Sequence, residues 1–239
     1  MTTADSPRGA DGWTAAVRRR LGLGRLLPLG GPADGAWISE RAAVRVLRDA
    51  VEGRGPGPVL GELRIRVADP DRAPDAEVEP PPSALAPGPL RIEATMSALS
   101  GQPLPAAASQ LRSALLTAAG QRLGLEVAEV DLRVTELLEA PPERRAPAPA
   151  EVRPAEAEGA AGLAAAGVPG VVALTRVLGK AVHPGPGHVR VELATDTGHR
   201  ALDVARAVRG AVAEAVEGRP SVAVLITAVV EGDRPPGGA

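Results

Sequence analysis

The segment Leu90-Arg91-Ile92-Glu93-Ala94 returns about one hundred residues later as Val189-Arg190-Val191-Glu192-Leu193. A second block follows each of them. Leu111-Arg112-Ser113-Ala114-Leu115 and Val208-Arg209-Gly210-Ala211-Val212 share the form apolar, Arg, small, Ala, apolar. Similarity at a fixed spacing is the mark of an internal duplication, and it limits the fold more tightly than composition does. The first block alternates apolar and charged residues, the period of a half-buried strand. The second has the spacing of an amphipathic helix. The competing reading is that two such helices in an Ala- and Arg-rich chain resemble each other by composition alone. The aligned strands on both sides of the helices favour duplication.

The flanking sequence extends each copy in the same order. In the first half, Ser39 is suited to cap a helix starting at Glu40, with Val44, Leu47 and Val51 on one face and Gly53 as its stop. Leu63, Ile65 and Val67 alternate with Arg64 and Arg66, and Leu90, Ile92, Ala94 and Met96 with Arg91, Glu93 and Thr95. A helix over 105–123 and a strand through Val130, Leu132 and Val134 complete the copy. In the second half, a short helical segment near Leu163 precedes an apolar stretch to Val182 and a turn over 183–188. A strand through Val189, a helix over 201–217 and a closing strand from Val222 to Ala228 follow. Residues 69–89, Pro-rich and acidic, read as a long loop, and 139–158, nearly free of large apolar residues, as a semi-extended linker. The expected fold class is α+β: two tandem small domains, 36–138 and 159–230, each a helix packed on a three-stranded sheet. Residues 1–35 form an N-terminal segment and 231–239 a flexible tail.

Composition excludes several chemistries. Among 239 residues there is no Cys, Phe or Tyr, only two Trp, and Lys180 is the sole lysine. Disulfides, thiolate nucleophiles and Cys-bound metals are therefore ruled out, and the core has to be built from Leu, Val and Ala. A net charge of -2 gives no overall attraction to nucleic acid, and the shortage of aromatics removes platforms for base stacking. The polar start, with Asp5 and Asp11, does not read as a signal peptide. The longest apolar run, Val222 to Val230, is far short of the roughly 20 residues of a membrane span. A cytoplasmic protein is expected.

No catalytic residue, cofactor or metal site is expected. His183, His188 and His199 with Asp196 and Asp203 are the one polar cluster to weigh as metal ligands, and they read as a solvated turn. Asp69, Asp71 and Asp75 lack the glycine and closing Glu of a calcium loop. Arg18, Arg19, Arg20 and Arg25 form a basic patch beside Trp13, Val17 and Leu21, whose spacing predicts a short amphipathic helix over 12–21. It is read as packing on the first domain, with lipid or partner binding as the alternative. The two closing strands differ. Asp131, Arg133 and Thr135 give the first a wet face, while Ala223, Leu225, Thr227 and Val229 occupy the matching side of the second. A strand apolar on both sides is covered on both. The cover is either packing within the chain or another molecule, which makes these four residues a candidate interface.

This order of elements resembles the alkaline-shock (Gls-type) envelope-stress protein family. Val168-Pro169-Gly170-Val171 followed by Leu178-Gly179 is similar to its VPGV-then-Leu-Gly opening, and 202–229 to its closing helix and strand. In the first half, Ile38-Ser39-Glu40 and the stretch from Gly124 to Val134 resemble its helix start and its closing strand. The first half departs from the family in its Pro-rich insertion and its missing VPGV. The chain is also similar to actinobacterial proteins labelled as a nucleopolyhedrovirus p-ten family. The resemblance implies a non-enzymatic, cytoplasmic scaffold, while protein partners and self-association are what the candidate interface on the last strand would serve. The resemblance also implies membrane association through a small anchor protein, without direct insertion. A small-ligand-binding regulatory module is the alternative.

Overall fold

Ser39 closes a strand and caps the helix after it. Its Oγ accepts the Ala42 N–H at 3.2 Å and donates to the Thr227 carbonyl, 188 residues away, at 3.0 Å. One hydroxyl thus ties the start of the chain to its last strand. The computed structural model describes residues 22–53, 57–140, 142 and 152–232. In chain order these form β1 (Leu26–Leu29), β2 (Ala36–Ser39), α1 (Glu40–Glu52), β3 (Val59–Val67), β4 (Leu90–Leu99), α2 (Leu104–Ala118) and β5 (Val127–Leu138). Then follow β6 (Pro154–Ala155), α3 (Gly159–Ala166), β7 (Val171–Thr175), β8 (Val182–Gly185), β9 (His188–Asp196), α4 (Ala201–Ala215) and β10 (Ser221–Val230). The fold is α+β with two sheets.

The smaller sheet has the order β3-β4-β5, with β3 antiparallel and β5 parallel to β4. The larger runs β1-β2-β10-β9-β7-β6, and β8 also pairs with β9. In both, a strand paired antiparallel to its predecessor is joined to a parallel neighbour by a crossover helix, α2 in one and α4 in the other. The arginine at the middle of each helix donates to the closing strand that follows. Arg112 Nε reaches the Val130 carbonyl at 3.2 Å, and Arg209 Nε reaches that of Val222 at 2.9 Å.

The sheets do not follow the expected division at residue 36, and the second is seven-stranded rather than three-stranded, because the first hairpin and two short strands add to its edges. The β1–β2 hairpin lies in the larger sheet, with β2 parallel to β10 through Ala36↔Val224 and Ile38↔Ile226. A short 3-10 turn, Pro32–Asp34, joins its strands and is clamped to α4. Arg206 makes a two-point pair with Asp34 at 2.7 and 3.0 Å, and this bond is the largest reason that the Asp34 carboxyl titrates below its ordinary range. Arg209 also donates to the Ala33 and Asp34 carbonyls. One continuous apolar core then runs from the larger sheet through the helices to the smaller. Gly124, at φ +89, lets the two halves approach closely, since a Cβ there would strike the Leu202 side chain of α4.

These contacts rank the two central arginines. Arg209→Ala leaves three carbonyls without their donor and is expected to cost about 2 kcal/mol in denaturant unfolding, against about 1 kcal/mol for Arg112→Ala. Equal costs would contradict the clamp.

Residues 69–89 form a long loop, as expected, interrupted by the 3-10 turn Pro70–Arg72 and fastened to the larger sheet. Glu77 N–H donates to the Pro32 carbonyl, Leu85 N–H to that of Leu26, and Trp37 Nε1 to that of Leu85, so this segment is strapped over the larger sheet with Val78 buried. Two expectations are corrected. Within the 139–158 linker, Pro154–Ala155 form β6, paired with β7. The apolar stretch to Val182 is interrupted between β7 and β8, where residues 176–181 leave the sheet. The amphipathic helix over 12–21, with Arg18, Arg19 and Arg20, lies outside the described residues, as does most of the tail.

Candidate functional site

The repeated strand blocks place the same side chains on two outer sheet faces, and the chain treats those faces differently. On the smaller sheet, Glu93 sits between Arg64 of β3 and Asp131 of β5. On the larger, Glu192 sits beside Leu225 of β10, which pairs onward with Trp37 of β2.

The face carrying Glu93 is open. Its arginines and carboxylates interleave across the strands. Arg66 Nε pairs with Glu93 at 3.2 Å, and Arg91 bridges to Glu129 and to Asp131, the latter at 3.6 Å. Glu62, Arg64, Thr95 and Arg133 border the same shallow depression of about 410 Å³. Four arginines (64, 66, 91, 133) face four carboxylates (62, 93, 129, 131), so the surface has a dense charge pattern and little net field. On the opposite side of β5, at the sheet edge, Val134 and Leu137 are exposed apolar residues.

The face carrying Glu192 is closed by the chain itself. Ala223 and Leu225 have no solvent exposure and pack with Trp37, Leu23, Leu26 and Val78. The candidate interface is therefore not a free surface. It is also not one face. A register shift between Ile226 and Ala228 lets Thr227 Oγ1 meet Thr175 Oγ1 at 2.8 Å, and sends Val229 into the main core. Of the basic patch, Arg25 is taken up by Glu40, with Nη2 to Oε1 at 2.9 Å and Nε to Oε2 at 3.2 Å.

Burying that face encloses a carboxyl group. Glu192 is 0 % exposed, and its Oε2 accepts the N–H groups of Val177 and Leu178, both at 2.9 Å. Oε1 lies 3.2 Å from His183 Nε2 and 3.9 Å from Arg190 Nη2. Burial outweighs the Leu178 N–H, Arg190 and the Val177 N–H, and raises the Glu192 carboxyl to about 7. The same burial, with the positive charges of Arg190 and Lys180, lowers His183. His183 Nε2 accepts the Lys180 N–H at 3.2 Å, which engages its one lone pair and leaves Glu192 Oε1 without a hydrogen-bond partner. The loop 176–181 held by this carboxyl forms one wall of an open groove of about 610 Å³, bordered also by Glu156, Glu158, Arg176 and Lys180.

Sequence reasoning missed Glu192, since Val189-Arg-Val-Glu-Leu193 alternates as its exposed counterpart does. The one available signal was the apolar β10 beside it. The other histidines go separate ways. His188 Nδ1 is 3.1 Å from Ser221 Oγ, and His199 Nδ1 is 3.4 Å from Asp196 Oδ1. Asp203 pairs with Arg200 at 3.1 Å, and Asp69 with Arg72 at 3.6 Å. Among the described residues no group of three His, Cys, Asp or Glu side chains is arranged to hold a metal ion, and no helix is long and apolar enough to cross a membrane. No protein-family model, curated protein or solved structure matches the chain.

Proposed function

We propose that the chain is a non-enzymatic scaffold of the cell-envelope stress type that binds protein partners through the open face of its three-stranded sheet. The observation that carries this reading is the contrast between the two outer faces. The chain lays its own Pro-rich segment over one and leaves the other, built on the same strand block, open and lined with charge, with Val134 and Leu137 exposed on the reverse side of its edge strand. A balanced charge pattern beside exposed apolar residues suits a protein surface better than a phosphate backbone or an anionic membrane.

In this reading the two halves are divergent copies of one alkaline-shock-like unit. The shared strand, crossover helix and parallel strand, and the helix arginines bonded to their closing strands, support the duplication. The protein works in the cytoplasm and reaches the membrane through a small anchor protein. The groove beside Arg176 and Lys180, with the unpartnered Glu192 Oε1 nearby, favours a small-ligand regulatory module as the second reading.

Charge reversal tests the first reading. Arg64→Glu with Arg66→Glu inverts the β3 row on exposed positions, and both variants should fold as the parent does. Quantitative capture from native membranes should lose its specific partners in the reversed protein and keep them in the parent. Unchanged capture would remove the open sheet as the binding surface. A metabolite that raises the melting temperature of the parent would favour the ligand module instead.

A further inference from the structure

β5 is the outer strand of its sheet among the described residues, so one row of its backbone N–H and C=O groups has no strand beside it. Such an edge accepts another strand unless charges or bulges oppose it. Register shifts against β4 bracket a regular run over 129–134. Within it Glu129, Asp131 and Arg133 lie on the open face, and Val130, Leu132 and Val134 on the other. Arg133 has no carboxylate within ion-pair distance among the described residues. Val134, across from the buried Met96, is itself exposed.

Resting on the interaction reading above, we infer that the occupant of this edge is a second copy of the chain, its β5 antiparallel to the first about a twofold axis at Leu132. The charges select that register. A twofold axis normal to the sheet keeps each face on its own side, so residues meet only those of matching parity. An axis at Val130 sets Glu129 against the partner copy's aspartate at position 131. An axis at Asp131 or Arg133 sets that charge against itself. Like charges directly opposite one another oppose pairing. With the axis at Leu132, Asp131 meets Arg133 of the other copy twice over. On the reverse face Val130 then meets Val134 and Leu132 meets Leu132. The arginine that lacks an ion pair in the single chain gains one, and the exposed valine gains a cover.

The test is sedimentation velocity across the micromolar range on the full chain. Asp131→Arg and Arg133→Asp should each weaken dimerisation about tenfold or more, and the double exchange should restore it. Both sites are exposed, so neither change is expected to disturb folding. The chain has no cysteine, so Leu132→Cys adds the single thiol, and mild oxidation should link two copies quickly. Glu129→Cys should link slowly, since that position faces Thr135 of the other copy. A protein that stays monomeric, or a dimer insensitive to the exchange and to the choice of cysteine position, overturns the inference. If such a monomer still captures partners lost on reversing Arg64 and Arg66, the dimer has failed while the broader reading stands.

Discussion

Glu192→Gln is expected to raise the melting temperature at pH 8 and to leave it nearly unchanged at pH 5. The Glu192 carboxyl has an ordinary value of 4.5 and is raised to about 7 in the folded chain, chiefly by burial. An acid raised by folding contributes stability that is fully present below the unfolded value and is lost as the pH climbs through the folded one. The window therefore runs from about 4.5 to about 7, and the loss is complete by pH 8. Its size is about 3 kcal/mol at 1.36 kcal/mol per unit. In a chain of this length that corresponds to roughly 6–12 °C. Gln reproduces the protonated state. Its carbonyl can accept from Val177 and Leu178 as the carboxyl does, and it carries no charge to desolvate. His183 acts in the opposite sense: lowered by folding, it contributes stability that is present above 6.5 and lost as the pH falls. Comparing wild type with Glu192→Gln at each pH isolates the carboxyl from the histidine, and from the Arg190, Lys180 and Arg176 charges around it. Calorimetry at pH 5 and pH 8 measures the difference. If Glu192→Gln melts lower than wild type at pH 8, the two N–H groups and Arg190 hold the carboxylate ionised, and burial does not dominate.

The second large effect concerns the independence of the two halves. Cutting the chain at a protease site engineered between residues 143 and 151 is expected to leave a nicked complex that runs as one particle. The C-terminal piece alone is expected not to fold stably. The reason is the β1–β2 hairpin. Without it β10 loses a strand along its edge, and Ala223 and Leu225 lose Trp37, Leu23, Leu26 and Val78. Exposing a buried side chain of Leu size costs about 1.5–3 kcal/mol. Uncovering Leu225, together with losing the β2 pairing along β10, removes a large share of the stability of a domain, about 5–15 kcal/mol. For the same reason Leu225→Arg should unfold the larger sheet rather than weaken an association. Size exclusion after cleavage, with and without mild urea, reads the result. Two pieces that separate freely and melt separately near the parent temperature would show that the halves are independent domains joined only by the linker.

Much of the local structure was legible from the residues. Ser39 as cap, the helix starting at Glu40, the alternating strands at Leu90 and Val189 and the helix starting at Ala201 all follow from neighbours within a turn or two. The turn expected over 183–188 is narrower in the structure: Val182–Gly185 is β8, and only Pro186-Gly187 turns to bring His188 back against Gly185. The charged outer face of the smaller sheet was equally plain, because Arg64, Glu93, Asp131 and Arg133 alternate with apolar residues. Element order is a short-range property, and the residues that set it are close in sequence.

Cover is a long-range property, and the sequence could not assign it. Arg91-Ile92-Glu93 and Arg190-Val191-Glu192 carry the same local instruction, a charge on the outer side of a strand. One glutamate lies in an open ion-pair lattice and the other is enclosed with a raised carboxyl. Period two states which face a side chain occupies and nothing of what lies above it. What lies above Glu192 comes from Val177 and Leu178. What lies above its neighbour Leu225 comes from Leu23, Leu26, Trp37 and Val78, some 150–200 residues upstream. The apolar β10 announced that a cover existed. Only the tertiary structure decided that the chain supplies it, by laying its first hairpin along β10 and its Pro-rich segment across the face. Burying Leu225 and Trp37 gains free energy whatever the sequence distance, and that gain draws a carboxyl group out of water along with them.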